Sequence, residues 1–572
     1  MQRLQLISDF NIEILGRYLS NMIGIDQVEV SVAPFGQVFQ SLMDQNGPWA
    51  EDGSVLVWTR PESILTSYRK ALYYEAVDHD VALEELDGYV EALSLRAKRA
   101  KYLFHATWTL PSGYRGYGML DFARGVGLSH LLARMNLRLA ESIGQMPNVF
   151  MLPAEQWIRH GGPQASIPKL WFAGKIPFKN AVFQSAASDL VAALNGLAGR
   201  SRKLVIVDLD NTLWGGVVGE TGWRGLRLGG HDHVGEAFVE FQRSLKALTN
   251  RGVQLGIVSK NDEQVALEAI DCHPEMQLKR GDFAGWRIDW SDKVRNIEEL
   301  AAELRLGIDS IVFIDDNPAE RGRVREALGD RVLVPEWPAD PADYSATLMA
   351  LRCFDAPAIS AEDRGRVRMY ADERERRIAI NESGSLEDWL KTLQIEVQVE
   401  RLALTNIERA SQLLNKTNQM NLSTRRLSEG GLMNWAEAEN RMVWTFRVSD
   451  RYGDSGLTGI ISIETEDDTT RIVDFLMSCR TMGRSVEEAM VSTAVEYVCN
   501  QTLPRRIIAT FVPTDRNRPC LDFWRRSGFD EREPNSFYWE PVRPYPAPDY
   551  VKLLHCQSPS ANDFGAVGNA RD

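Results

Sequence analysis

An α/β fold built from several domains is what this chain predicts, on three observations. It is 572 residues long, and one hydrophobic core rarely serves more than about 250–300 residues. Short, fully apolar runs recur along it, and such runs are typical of parallel strands buried on both faces. Segments with apolar residues at helical spacing separate those runs, as strand–helix–strand units require.

Composition narrows the class. Hydrophobic residues make up 44% and charged residues 25%, which excludes collagen-like, low-complexity and wholly disordered chains. No apolar run approaches the roughly 20 residues of a membrane-spanning helix. The start, MQRLQLISDFNIEIL, interrupts its apolar residues with Asp9, Asn11 and Glu13, unlike a secretory signal. Six cysteines at no regular spacing make neither a disulfide framework nor a zinc site, so a reduced, cytoplasmic setting is expected. Lysine and arginine number 65 against 79 acidic residues, a formal charge of −14. That balance disfavours bulk binding of nucleic acid but leaves room for a local basic patch.

Residues 1–195 form the first segment. Val55–Trp58 and Val149–Leu152 read as buried strands, and Leu83–Ala100 and Leu128–Ile143 as amphipathic helices. Trp58, Trp108, Trp157 and Trp171 are expected as core or interface aromatics.

Residues 196–345 carry the clearest pattern. Three apolar runs, Leu204–Val207, Leu255–Val258 and Ile311–Ile314, each end abruptly in polar residues. These are Asp208 to Thr212, Ser259-Lys260-Asn261-Asp262, and Asp315-Asp316-Asn317. Phe238, Phe241, Leu245 and Leu248 recur at helical spacing ahead of Gly252, and Ile297, Leu300, Ala301 and Leu304 ahead of Gly307, with Ser291 and Asp292 as N-cap candidates. A doubly wound sheet places its ligand at the carboxyl ends of its strands, where all three polar clusters fall.

Residues 346–385 form a charged connector, with Arg374, Arg376 and Arg377 among glutamates, expected as a solvated helix face. Strand and helix alternation resumes over 386–545, and 546–572 form a tail, polar and small from Gln557.

The polar clusters suit phosphoryl transfer, which needs an in-line nucleophile, a cation and positive charge on the equatorial oxygens. Asp208 and Asp210 lie two residues apart just past a strand end; one can attack phosphorus while the other handles the proton of the leaving oxygen. Asp315 and Asp316 add hard oxygen ligands that suit Mg²⁺. Ser259 can donate to a phosphoryl oxygen, with Lys260 beside it, and Lys293 near a helix start supplies fixed positive charge. The roughly 25 residues after the nucleophile loop show no helical run, and Ser259 to Lys293 leaves no room for a large cap domain, so a capless, open site is expected.

Through VIVDLDNTLWGG (205–216), GIVSKND (256–262), WSDKV (290–294) and VFIDDNPAER (312–321) the chain resembles the haloacid dehalogenase superfamily. The resemblance implies Asp208 as the phosphoryl-accepting nucleophile and Asp210 as acid/base, its backbone carbonyl also meeting Mg²⁺. It implies phosphoryl contacts from Ser259, Lys260 and Lys293, and a metal site completed by Asp315 and Asp316. Over nearly the whole chain, DLDNTLWGGVVGETG (208–222), KTNQMNLSTRR (416–426), DRYGDSGL (450–457), SCRTMGRSVE (478–487) and PTDRNRPCLDFWRRSGF (513–529) resemble the FkbH-like family. That family is similar to glyceryltransferase/phosphatases of polyketide pathways, which dephosphorylate 1,3-bisphosphoglycerate and load a glyceryl unit onto an acyl carrier protein.

Such loading asks for a thiol able to exchange acyl groups. Cys479 follows the mostly apolar run Ile472–Met477 and precedes Arg480, Gly483, Arg484 and Ser485 and a helix predicted from Val486; cationic neighbours and a helix start both favour a thiolate. The resemblance implies a glyceryl thioester there. Cys499, near Val495 and Val498, is expected as a small buried hydrophobe. The Arg480-x-x-Gly483-x-Ser485 stretch resembles the coenzyme A loop of GNAT-type acetyltransferases, implying an acetyltransferase-like α+β domain with Arg480, Gly483, Arg484 and Ser485 toward pantetheine or carrier. Arg425 and Arg426 are candidates for the same contact. Asp450, Asp454, Asn418 and Asn421 either position the acyl group or hold turns. ISDFN (7–11) resembles the front of an SGNH-hydrolase-like domain without an intact Gly-Asp-Ser block, and His160 lacks the expected aspartate, so a scaffold, docking or capping role is expected there. The competing reading is a capless phosphatase with an inert acetyltransferase-like domain.

Overall fold

The computed structural model describes residues 2–24, 27–44, 53–357, 390–417, 419–478, 481–501, 506–514, 517–541 and 544–555. The described residues form three sheets in an α/β, multidomain arrangement. Arg374, Arg376 and Arg377, in the charged connector, lie outside the described residues.

The first sheet is parallel throughout, in the order β2-β1-β3-β4-β5. Its strands are β1 (Gln2–Ser8), β2 (Val28–Val32), β3 (Ser54–Trp58), β4 (Tyr102–Ala106) and β5 (Val149–Leu152). The expected helices run over His79–Ala97 and Leu128–Ile143. Asp78 caps the first of them by accepting from the Asp80 amide, which starts it four residues before the apolar pattern does. Trp58, Trp108 and Trp157 are buried, and Trp171 lies half-buried beneath the Arg60 guanidinium.

The second sheet is also parallel, in the order β8-β7-β6-β9: β6 (Leu204–Val207), β7 (Gln254–Ser259), β8 (Phe283–Ile288) and β9 (Ile311–Ile314). Every residue of β6, β7 and β9 is buried, because helices cover both faces of the sheet. Helices His233–Asn250 and Lys293–Glu303 bring Phe238, Phe241, Leu245, Leu248 and Ile297, Leu300, Ala301 inward, with Leu304 buried at the cap of the second. Asp232 and Asp292 cap them. Between the nucleophile loop and the first of these helices the chain makes two short helical turns, Val218–Thr221 and Trp223–Gly225, that its sequence did not announce. Residues 263–288 are spent on the helix Glu263–Cys272 and on β8, both part of the sheet unit, so no cap is inserted there.

The third sheet is α+β in character and mostly antiparallel, with the path β16-β17-β15-β14-β13-β12-β10-β18. Its strands are β10 (Ile395–Arg401), β11 (Met420–Asn421), β12 (Arg441–Asp450), β13 (Gly453–Glu466), β14 (Thr469–Met477), β15 (Arg506–Thr510), β16 (Asp530–Glu533), β17 (Ser536–Trp539) and β18 (Val551–His555). The steps β14–β15 and β10–β18 are parallel. Strand β18 falls within the expected tail: its Val551, buried, completes the sheet edge beside Ile395. Strand β11 pairs with Leu476 and Met477 at the end of β14, past the stretch that pairs with β15. Leu422 donates to Phe475 and accepts from Val512, so the chain's own backbone fills the gap where the two parallel strands separate.

Candidate active site

The carboxyl edge of the second sheet gathers the polar clusters. Asp208 leaves β6 with its amide donating to the Ile314 carbonyl at 3.0 Å. This places it beside Asp315, which leaves β9. Carboxylate oxygens of Asp208, Asp315 and Asp316 all lie within 4.8 Å of one another. Lys293, buried at the first turn of its helix, sets its Nζ 2.6 Å from Asp315 Oδ2 and 3.1 Å from Asp208 Oδ1. The second contact is a charge contact rather than an aligned hydrogen bond, and Asp208 Oδ1 is otherwise buried without a donor.

Burial of like charges sets the electrostatics. Burial pushes the Asp208 carboxyl up to about 6; Asp315 pushes the same way, and Lys293 and Ser259 hold it back. Asp315 and Asp316 are likewise raised, first by burial. Burial alone would lower the Lys293 ammonium, but Asp208 and Asp315 outweigh it and raise it. Three hard carboxylates crowded in one spot, one with an unpartnered buried oxygen, fit a divalent cation of the magnesium type.

The Asp210 carboxylate is not part of this cluster. Its Oδ1 accepts from Trp214 Nε1 at 2.9 Å and from the Val218 amide at 3.0 Å, and its Oδ2 accepts from Asn261 Nδ2 at 2.9 Å. Only its backbone carbonyl is left for a metal. Just past the two aspartates the chain turns: Asn211 has φ of 54° and accepts from the Gly216 amide, a conformation asparagine tolerates better than most residues. Thr212 donates to Asp316 and accepts from its amide, and Arg321 Nη1 donates to the carbonyls of Asp315 and Asp316 at 2.7 Å each. Asn261, Thr212, Trp214 and Arg321 are therefore site residues that sequence reasoning left without roles, although each stands inside a motif that was read.

Ser259, buried, ends β7 next to this cluster, its carbonyl accepting from the Asp289 amide and its hydroxyl from Asn261 Nδ2 at 3.4 Å. Lys260 departs from expectation. Its ammonium pairs with Glu320 at 2.7 Å on the partly exposed side of the strand end, because consecutive residues leaving a strand point to opposite sides.

The C-terminal loop is satisfied from within. Cys479 and Arg480 lie outside the described residues, as does Asn418. The Gly483 amide donates to Glu487 at 2.8 Å. Arg484 is buried and paired with Asp450 at 3.1 Å. Ser485, left-handed at φ 59°, shares a hydrogen bond with the Tyr550 hydroxyl. Arg425 pairs with buried Asp474, and Arg426 donates to the Leu414 and Thr417 carbonyls. Gly483, Arg484, Arg425 and Arg426 thus spend these donors inside the fold rather than displaying them to an arm or carrier. Asp450, Asp454 and Asn421 each accept from amides of their own turns. Cys499 is exposed, not buried: it is the last residue of the helix Val486–Cys499, and its Sγ reaches the Pro541 carbonyl at 3.4 Å.

In the first sheet, the Ser8 hydroxyl accepts from the Phe10 amide, and exposed His160 contacts its own helix at the Gln156 carbonyl. Neither faces the other as a serine–histidine pair would. A cleft of about 1040 Å³ opens at this sheet's carboxyl edge, lined by Asp9, Arg60, Glu62, Ser63, Phe39 and Met43 among others.

With this geometry in view, comparison with known proteins is informative at one point. The chain is similar to a magnesium-complexed phosphatase domain. That solved structure is the N-terminal part of the protein BF1531 from Bacteroides fragilis, containing a phosphatase domain complexed with Mg. It is 26% identical, with a TM-score of 0.57, and the match covers 62% of this chain and 94% of that one. That share exceeds what residues 196–345 alone supply. The ribosomal-protein-S18-alanine N-acetyltransferase from Escherichia coli (8% identity, TM-score 0.20, 25% of this chain and 90% of that one) and the spermidine N-acetyltransferase from Vibrio cholerae (14%, 0.20, 24% and 82%) also overlap it, too slightly to bear on function. No family model matches the chain, and no curated protein matches it. No helix among the described residues is long and apolar enough to cross a membrane.

Proposed function

We propose that the chain is a Mg²⁺-dependent glyceryltransferase/phosphatase that loads an acyl carrier protein from 1,3-bisphosphoglycerate. The observation that carries the phosphatase half is the cluster of Asp208, Asp315 and Asp316 around Lys293. The likeness to a phosphatase domain complexed with Mg supports the same half. The acyl half rests on the sequence resemblance.

In this reading Asp208, Asp315, Asp316 and the Asp210 carbonyl would hold a magnesium ion, which would neutralise charge on the phosphoryl oxygens. Asp208 attacks phosphorus and forms an aspartyl phosphate, while the substrate oxygen leaves and takes its proton from Asp210. Water then attacks that phosphorus, Asp210 takes the water's proton, and inorganic phosphate leaves Asp208 free again. Asn261, Trp214 and the Val218 amide fix the Asp210 carboxylate for both transfers. Lys293 and Ser259 meet the equatorial oxygens.

The mixed anhydride of the substrate reacts separately. The Cys479 thiolate attacks the acyl carbon, the acyl–oxygen bond breaks, and phosphate departs with the electron pair. The resulting thioester passes to the carrier's pantetheine thiol by exchange of one thioester for another, which is nearly balanced in energy. Incubating the protein with 1,3-bisphosphoglycerate, Mg²⁺ and holo carrier should add a glyceryl mass to the carrier, read by intact-protein mass spectrometry. No adduct on any carrier, while phosphate release continues, overturns the proposal.

The internal partners of Gly483 and Arg484 favour a second reading, a phosphatase whose C-terminal domain is inert. It expects Cys479→Ala to leave every activity unchanged. The first reading expects that variant to release phosphate from acetyl phosphate normally and to load no carrier.

A further inference from the structure

The first sheet carries a loop that the phosphate chemistry does not use. Residues 111–127, PSGYRGYGMLDFARGVG, lead from β4 to the helix Leu128–Ile143, with one short turn of helix at Gly118–Leu120. The loop is held firmly. The Asp121 carboxylate is buried and accepts from the amides of Tyr117, Leu128 and Ser129 and from the Ser129 hydroxyl. Tyr114 donates to the Leu72 carbonyl at 2.9 Å, and Tyr74 donates to the Gly116 carbonyl at 3.2 Å while packing edge-on against Tyr117.

This fixed loop turns its apolar side chains outward. Met119 is 98% exposed and Phe122 75%. Leu120 and Val126 are exposed on the same loop. Single exposed apolar residues are ordinary, but several presented together by an ordered loop mark an interaction surface. The loop's charges are equally one-sided. Arg115 and Arg124 are exposed, and its single carboxylate, Asp121, is buried under its donors. In a chain of net charge −14 this loop shows guanidinium groups and no free acid. Methionine, aromatic rings and arginine are the residues enriched at interfaces.

We propose that residues 111–127 dock an acidic protein partner through an apolar contact rimmed by arginine–carboxylate pairs, and that this partner is the carrier protein. The assignment of the occupant rests on the function proposed above; the charge complementarity favours it over a second copy of this acidic chain.

The test uses the full chain and a panel of acidic holo acyl carrier proteins. Two variants are compared with the parent, Met119→Ser with Phe122→Ser, and Arg115→Glu with Arg124→Glu. Each is expected to weaken carrier binding by about 10-fold or more. Acetyl phosphate turnover and the unfolding temperature should not move, since all four side chains are exposed. Parent binding should also weaken as salt is raised. Equal binding and loading by parent and variants overturns the surface and leaves the proposed function standing. A parent that hydrolyses acetyl phosphate but binds no carrier overturns both. Sedimentation that finds the parent dimeric and the Met119/Phe122 variant monomeric gives the loop to a second copy and overturns the assignment.

Discussion

Asp9 and Asp208 occupy the same place in two parallel sheets. Each stands just past the end of the sheet's first strand, at the point where strand order reverses, and a ligand is expected there in both. Their surroundings differ. Asp9 accepts from the Arg60 amide and Nε at 2.8 Å each and from the Ser63 hydroxyl at 2.5 Å. Asp208 faces two further carboxylates and shares a single ammonium with one of them. The first aspartate completes its own hydrogen bonding and acts as a brace. The second is left short of partners, so its negative charge can be completed by a cation or spent on an electrophile. Position in the fold offers a site; incomplete satisfaction makes it reactive.

The sharpest way to break that comparison is to neutralise each carboxylate. Asp208→Asn should lower phosphate release from acetyl phosphate by on the order of 10³-fold or more, as removal of the proposed nucleophile would. Asp9→Asn should leave it within about twofold. Stability should move in opposite directions. The folded Asp208 carboxyl titrates near 6, above its unfolded value of about 4, so the metal-free folded state binds the extra proton. Its destabilising charge is absent below pH ~4, appears as pH rises from ~4 to ~6, and is complete above that. Asp208→Asn should therefore stabilise the metal-free protein at pH 7.5 by about 2 kcal/mol and have little effect at pH 4. Asp9→Asn should destabilise it by about 1–2 kcal/mol, because part-buried donors lose a charged acceptor. Denaturant unfolding of both variants at both pH values decides this, and shifts of the same sign at pH 7.5 end the contrast.

Magnesium probes the same asymmetry less directly. Chelation should reduce phosphate release by about 10²-fold or more, with Mg²⁺ restoring it. Added Mg²⁺ should raise the unfolding temperature of the parent, whose carboxylates it relieves, more than that of Asp208→Asn. Equal stabilisation of the two would place the ion elsewhere.

A smaller effect tests the support of Asp210. Asn261→Ala removes one of the three donors to that carboxylate. It should lower kcat about 10-fold while leaving the KM for acetyl phosphate nearly unchanged, since Asn261 acts through Asp210 rather than on the phosphoryl group. A rise in KM at constant kcat would instead make Asn261 a substrate contact.

What the amino-acid sequence disclosed follows the physics of burial. Leu204–Val207 and Ile311–Ile314 are strands at the limits their apolar runs mark, because strands buried on both faces read as apolar runs; Val149–Leu152 is a strand at its marked limits too, although Phe150 and Met151 are half-buried at the sheet edge. Strand β8 escaped notice because Gly285 and Arg287 break up its apolar run. Strand β18 escaped because it is a late edge strand whose pairing with β10 is remote in sequence. The carboxylate cluster was legible from four short motifs. The partners that use up Arg484 and Arg425 lie 34 and 49 residues away, and nothing local in the sequence announces them. Cys499 shows the same limit at short range: apolar neighbours one and four residues away did not bury the end of its helix.

Lys260 gives the smallest predicted effect and tests whether sequence adjacency to a site confers a role in it. Ser259 is buried toward the cluster, so the next side chain leaves on the other side, and there its ammonium meets Glu320 at 2.7 Å. A partly exposed pair of this kind contributes roughly 0–1 kcal/mol. Lys293, by contrast, is enclosed among the carboxylates, where its charge cannot be replaced by water. Lys260→Ala should therefore change phosphate release by less than about threefold and unfolding free energy by under about 1 kcal/mol. Lys293→Met should lower release by on the order of 10²-fold or more. If Lys260→Ala instead raises the KM for acetyl phosphate 10-fold with kcat preserved, the Glu320 pair opens when substrate arrives, and the expectation drawn from adjacency would be restored.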